Sequence, residues 1–170
     1  RELFHFYGTK KILIADRGKA PNFLSKKIHS DSLSSHLHIA NEMIIGDTQL
    51  KIIPNSTGSI SDIDSALIVS SRKSKLSVLN INDCIMNESL CCAINKYKAE
   101  EDLEFTLFCL GYTGAGPYPQ TYYSPIQEEL KLLEKANAKK QQFFDRYSNA
   151  ISSISSSRRL PFAGKYVLKG

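Results

Sequence analysis

In the segment LSVLNINDC, residues 76–84, Asn80, Asn82 and Asp83 follow directly on a short apolar run. A carboxylate at the carboxyl end of a buried strand stands where sheet proteins set their reactive groups. The backbone there is rigid, so a ligand side chain has little entropy left to lose. Carboxylate oxygen binds zinc or manganese, which makes Asp83 a candidate metal ligand. The same residue types also form Asx turns and helix caps. A turn here, or a cap for a helix starting near Asn87, is therefore an equally direct reading of Asn82 and Asp83.

A second segment, GYTGAGPYPQTYY at residues 111–123, combines three glycines, two prolines and four tyrosines. Glycine lets a backbone approach a ligand closely, and tyrosine adds a stacking face with a hydroxyl. The segment lacks the glycine spacing and the GK[ST] ending of phosphate loops, and it reads either as a ligand-facing loop or as a packed turn. His36-Leu37-His38 would set both rings on one face if it were a strand. No HxHxDH spacing follows it, because the next residues are Ile39, Ala40 and Asn41. His29 is equally isolated, and His5 has no assigned role. These histidines are expected at the surface or in packing, since a metal needs several converging ligands. No GxSxG elbow is present, and nothing links a histidine to a particular serine or cysteine.

The elements that must position these residues can be read along the chain. Residues 11–15 predict a strand that ends at Gly18, and Pro21 precedes a short helix in NFLSKKIHS. DSLSSH is expected to be a loop. HLHIANEMIIGDTQLKIIP reads as strands around a turn at Gly46-Asp47, followed by a long polar loop over 54–62. SALIVSS and KLSVLNI predict strands joined by the basic turn RKSK. Residues 87–99 predict a helix burying Leu90, Ala93, Ile94 and Tyr97. EFTLFCL predicts a strand. A long helix is expected from Pro125 to about Ile151, with Leu130, Leu133, Ala136, Phe143, Phe144 and Tyr147 on its apolar side. RLPFAGKYVL predicts a last strand broken at Gly164. The order is that of an α/β or α+β layer arrangement in a single domain over residues 1–170.

Composition limits the alternatives. A chain of 170 residues that is 42% hydrophobic and 23% charged has the make-up of an ordinary soluble domain with one core. No apolar run approaches the roughly 20 residues of a membrane span, so no membrane partner is expected. The net charge of +5 suits an anionic small-molecule substrate. It is spread over pairs such as Lys10-Lys11, Lys26-Lys27, Lys139-Lys140 and Arg158-Arg159, a weak basis for nucleic-acid binding. Cys84, Cys91, Cys92 and Cys109 form no CxxC pair, so buried free thiols in a reducing cytoplasm are expected. Arg1 rather than Met opens the chain, which reads as a processed protein or a part of a longer one.

Several segments together resemble one family. LKIIP, the polar loop, DIDSALIV, the turn Asn80-Ile81-Asn82-Asp83, GYTGAGPYP and finally Pro161-Phe162-Ala163-Gly164-Lys165-Tyr166 are similar, in this order, to the second half of metallo-β-lactamase-fold proteins. The nearest character is that of the CMP-N-acetylneuraminate hydroxylase family and of bacterial hydrolases akin to it. The resemblance covers residues 50–170, and FYGTKKILIADRG fits the strand after the first metal motif. It implies the later half of a four-layer αββα sandwich with a metal site at one edge. It implies that Asp83 matches the superfamily's bridging aspartate, with zinc or another divalent metal as cofactor. The chain has no HxHxDH and no histidine in PNSTGSIS, and Lys165 and Tyr166 stand where the final histidine is expected. The remaining ligands are therefore expected from an N-terminal half of the fold or from a partner chain. The implied function is a metal-dependent hydrolase acting on a phosphorylated, sugar-nucleotide or other anionic substrate. Lys165 and Tyr166 are the candidate catalytic donors, and Asn82, Tyr112, Thr113, Gly114 and Tyr118 the candidate substrate-binding residues. A non-catalytic binding or assembly module of the same fold, and a nuclease of the same superfamily, are the alternatives.

Overall fold

The computed structural model describes residues 12–18, 22–55, 57, 64–82, 84–111 and 118–162. Of the candidate site residues, Asn82 and Tyr118 are among them. Asp83, Tyr112, Thr113, Gly114, Lys165 and Tyr166 lie outside the described residues, as does the expected break at Gly164.

The elements in chain order are β1 (Ile12–Ile14), α1 (Phe23–Ser30), a 3-10 turn (Ser34–His36), β2 (Leu37–Ile39), β3 (Glu42–Ile45), β4 (Thr48–Pro54), β5 (Ser65–Ser71), β6 (Ser77–Asn80), α2 (Glu88–Glu100), β7 (Leu107–Gly111), α3 (Glu129–Ser153) and β8 (Arg158–Phe162). The fold is thus of mixed helix and sheet. Six strands form one sheet in the order β3-β4-β5-β6-β7-β8, while β1 and β2 make a separate parallel pair. From β3 to β6 the neighbours are antiparallel and joined by short turns or, for β4 and β5, by the polar loop. From β6 to β8 they are parallel. Parallel neighbours need a long return connection, and α2 and α3 supply the two returns.

The alternation of side chains along the strands divides the sheet into two faces. Ala66 and Ile68 of β5, Leu79 of β6, and Phe108 and Leu110 of β7 point to one face and are fully buried. Leu90, Ile94 and Tyr97 of α2 and Ala150 and Ile154 at the end of α3 complete the same cluster, so both helices cover this face. α2 is held at its start by Asn87, whose Oδ1 accepts the Leu90 amide at 2.8 Å. It is tied to the end of α3 by Asn95 Nδ2, which donates to the Ser153 carbonyl. On the opposite face, Leu50, Ile52, Leu67, Val69, Val78, Leu107 and Cys109 are each only half-buried.

The long helix and the cysteines need correction, and two local points become specific. The long helix begins at Glu129, not Pro125, and its apolar residues are not buried along its whole length. Ala136, Phe143 and Tyr147 are half-buried, whereas Leu130 is 84%, Leu133 52% and Phe144 50% exposed. Only the last turns reach the core, through Tyr147, Ala150 and Ile151. The first helix is capped by Asn22, whose Oδ1 accepts the Ser25 amide. His36 lies in the 3-10 turn and His38 in β2, so the two residues do not share one strand. Of the four thiols expected to be buried, Cys84 is buried, Cys91 and Cys109 are half-buried and Cys92 is exposed.

The core assignment predicts a sharp contrast between two phenylalanines. Phe108→Ala should cost about 3–5 kcal/mol of stability, as removal of a fully buried aromatic does, and Phe144→Ala should shift a urea unfolding midpoint far less. Burial also raises the Cys91 and Cys109 thiols above the ordinary value by desolvation, which lowers their thiolate fraction at a given pH. Iodoacetamide at pH 8 is expected to label Cys92 first and Cys84, in the core, last, as read by peptide mass spectrometry.

Candidate functional site

Because β6, β7 and β8 run parallel and adjacent, their carboxyl ends share one edge of the sheet. β5 runs the other way, so its first residue lies at that edge too, paired with the last residue of β4 through Pro54 and Ser65. The loop from β4 to β5 therefore opens and closes beside the turn that follows β6. This is the edge at which open α/β sheets bind their ligands.

The turn after β6 is built by backbone chemistry. Asn80 Oδ1 accepts the amide of Asn82 at 2.9 Å, an Asx turn. The Cys84 amide donates to the Ile81 carbonyl at 2.8 Å. Asn82 itself has φ of 44°, the left-handed region that Asn tolerates better than other non-glycine residues. The Ile81 amide donates to the Cys109 carbonyl at 3.1 Å, and the Gly111 amide donates to the Asn82 carbonyl at 3.3 Å. Gly111 is in register with Phe162 of β8. So the described residues that lead into three of the candidate segments come together. Asn82 precedes Asp83, Gly111 precedes Tyr112, Thr113 and Gly114, and Phe162 leads towards Lys165 and Tyr166.

Two readings of this turn are now separable for Asn82. The cap of α2 is Asn87 itself, so Asn82 does not cap that helix. Asn82 is bonded to Asn80 and Gly111 through its backbone, and the Asx side chain belongs to Asn80. Tyr118 is exposed beside Pro119, which is fully buried, and the peptide bond between them is cis. Its ring stands edge-on to Tyr122 at 5.4 Å and to Tyr123 at 6.2 Å, on the segment leading into α3. Lys131 Nζ lies 4.8 Å from the Tyr123 ring centre, a cation–π contact. Desolvation, reinforced by Tyr123, pushes the Tyr118 hydroxyl above its ordinary pKa.

A polar network that was not singled out from the sequence lies at the same edge. Asn55, 2% exposed, immediately follows β4. Its Nδ2 donates to the Ile85 carbonyl at 3.0 Å, and its Oδ1 accepts from Asn87 Nδ2 at 3.3 Å. Its amide donates to the Asp64 carbonyl at 3.0 Å. Arg17, just past β1, donates from Nη1 to the Asn55 carbonyl at 2.9 Å and from Nη2 to the Asp64 carbonyl at 2.7 Å. No local pattern marks these two residues, because their partners are distant in sequence. Arg17 also borders a cavity of about 190 Å³ between β1, α1 and β4, lined by Leu13, Ile14, Leu24, Ile52 and Ser65.

Among the described residues no three His, Cys, Asp or Glu side chains converge as a metal site would require. His29 Nδ1 is bonded to Ser34 Oγ within its own segment. Among the described residues no helix is long and apolar enough to cross a membrane. Comparison with protein-family models, with curated proteins and with solved structures found no match.

The turn geometry predicts an ordering of substitutions at Asn82. Asn82→Gly should be close to neutral for stability, because glycine occupies the left-handed region freely. Asn82→Val should cost more than the about 1–2 kcal/mol of a simple left-handed L-residue. Thermal unfolding of the pair checks this. If Asn82→Gly also keeps any activity of the full protein, the residue acts through its backbone, whereas a loss of activity at unchanged stability would assign its side chain to the substrate.

Proposed function

We propose that this chain is the later half of a metallo-β-lactamase-like αββα domain whose full form is a metal-dependent hydrolase of anionic substrates. The single observation that carries the reading is the shared edge. NINDC, GYTGAG and PFAGKY are the segments that resemble the superfamily, and they begin at the carboxyl ends of three adjacent parallel strands. Segments that start at one shared edge can contribute to one site, and that edge is where open α/β sheets bind ligands. The half-buried apolar face of the sheet supports the same reading. Leu50, Leu67, Val69, Val78 and Leu107 form a surface suited to a second sheet packed face to face. That layer would come from an N-terminal half or from a partner chain.

In this proposal Asp83 is the metal ligand from this chain, and the other ligands come from the missing layer. A zinc or other divalent ion held there would supply an acidified water and polarise a carbonyl or phosphoryl oxygen. The side chains of this chain have the remaining tasks. Lys165 and Tyr166 would donate to the anionic group or to charge that develops during reaction. Tyr112, Thr113 and Gly114 would line the substrate beside the turn, and Tyr118 would offer a ring to it.

The test uses the full-length protein as it is made in the cell. Its metal content is expected to be stoichiometric, and Asp83→Ala should lower it together with hydrolysis of phosphoester or sugar-nucleotide substrates, with the unfolding temperature little changed. Unchanged metal content and activity in Asp83→Ala would sink the assignment. A full-length protein with no metal at all would favour a binding or assembly module instead.

A further inference from the structure

We infer that the exposed stripe of α3 is a self-association surface, on which a second copy of this chain packs its own α3 antiparallel. The inference is independent of the metal-site reading, because it uses neither the edge of the sheet nor its half-buried face.

The spacing of residues along the helix carries it. Only the last turns of α3 reach the core. Along the rest, Leu130, Leu133, Asn137, Lys140 and Phe144 recur at intervals of three and four residues, and Tyr147 continues the series. That is the seam spacing by which one helix packs against another. Leu130 is 84% exposed, Leu133 52% and Phe144 50%, and Ile126, one step before Leu130 in the same series, is 92% exposed. Asn137 and Lys140 are exposed as well, and Tyr147 is half-buried. A single exposed leucine is ordinary, but a row of large apolar side chains along one stripe marks an interaction surface.

The order of residue types along the stripe identifies the occupant. From Leu130 to Tyr147 it runs apolar, apolar, polar, polar, apolar, apolar, and it reads the same in reverse. Such a stripe is complementary to itself about a two-fold axis, the symmetry of most protein dimers. With the axis between Asn137 and Lys140, Leu133 meets Phe144 of the second copy and Leu130 meets its Tyr147. Asn137 meets Lys140 of the second copy, and a carboxamide oxygen accepts from an ammonium there. That ammonium lies 5.9 Å from the Phe144 ring centre of its own helix, so it is already at the seam. A parallel pairing sets Lys140 against Lys140 and Glu129 across from Glu134, like charges in both cases. The contact spans about 26 Å at roughly 1.5 Å per residue. It is a small interface, and the dimer is therefore a reversible one.

The experiment is sedimentation equilibrium of the full-length protein across the micromolar range, with no ligand added. A mass that rises from one chain to two with concentration is expected. Leu133→Glu should keep the protein monomeric, since it sets an unpaired carboxylate against an aromatic ring. The unfolding temperature of the dilute protein should change little, because the position is exposed. A monomer at every concentration would overturn the inference, as would a dimer that Leu133→Glu leaves intact. A marked fall in the unfolding temperature of dilute Leu133→Glu would reveal a cover from the same chain and overturn it too. Orientation is read by mild oxidation in a Cys92→Ser background, which removes the exposed thiol. Leu133→Cys together with Phe144→Cys should give a disulfide-linked dimer, and Leu133→Cys alone should not. Antiparallel copies of residue 133 stand about 16 Å apart along the helix, and a disulfide needs Cα atoms within about 7 Å. Efficient cross-linking of the single variant would make the pairing parallel and overturn the arrangement.

Discussion

Parallel pairing of β6, β7 and β8 is the constraint on which the rest of the molecule depends. Two parallel neighbours cannot be joined by a tight turn, so the chain must travel back along the sheet between them. It does so twice, through α2 and through α3, and both returns run over the same face. That choice makes one face a core of Ile68, Leu79, Phe108 and Leu110 under two helices. It leaves the other face, with Leu67, Val69 and Val78, only half-buried. It also collects three strand ends at one edge, which no antiparallel meander would do, since successive strands there end at alternate edges.

The connections at that edge are secured by asparagines more than by ion pairs. Asn80 forms the Asx turn after β6, Asn55 bridges two loops, Asn87 caps α2 and accepts no charge in doing so. Asn22 caps α1 and donates to the Ala15 carbonyl, and Asn41 exchanges two bonds with the backbone of Asp16. A carboxamide can donate and accept at once, and it does not carry the desolvation cost of a buried charge. Surface ion pairs such as Lys73 with Asp47 are exposed and contribute little to stability. Arg17 is the charged group that joins the asparagines in this, and it too bonds backbone carbonyls, those of Asn55 and Asp64.

Much of the local structure was legible because it depends on neighbours in sequence. The alternating and β-branched residues of SALIVSS and the turn RKSK define the β5–β6 hairpin. The spacing of Leu90, Ile94 and Tyr97 defines the buried stripe of α2. The long helix was harder. Its apolar residues read as one buried side, but Leu130, Leu133 and Phe144 are exposed and only the last turns reach the core. Periodicity states that a residue could be buried, and only the position of the helix against the sheet states whether it is.

What the amino-acid sequence alone determined is the set of parts. It set the strands, the α2 helix, the asparagine- and glycine-rich turns, and the segments NINDC, GYTGAGPYP and PFAGKY in which chemistry could reside. What the tertiary structure decided is which of those parts meet. The edge joining Asn82, Gly111 and Phe162 exists because β6, β7 and β8 lie parallel in one register. The bonds from Arg17 to Asn55 and from Asn55 to Ile85 exist because loops far apart in the chain close at the same place. A turn preference acts over a few residues and is written in their types. A hydrogen bond between distant loops is written in no local pattern, because it appears only once the strands between them have paired.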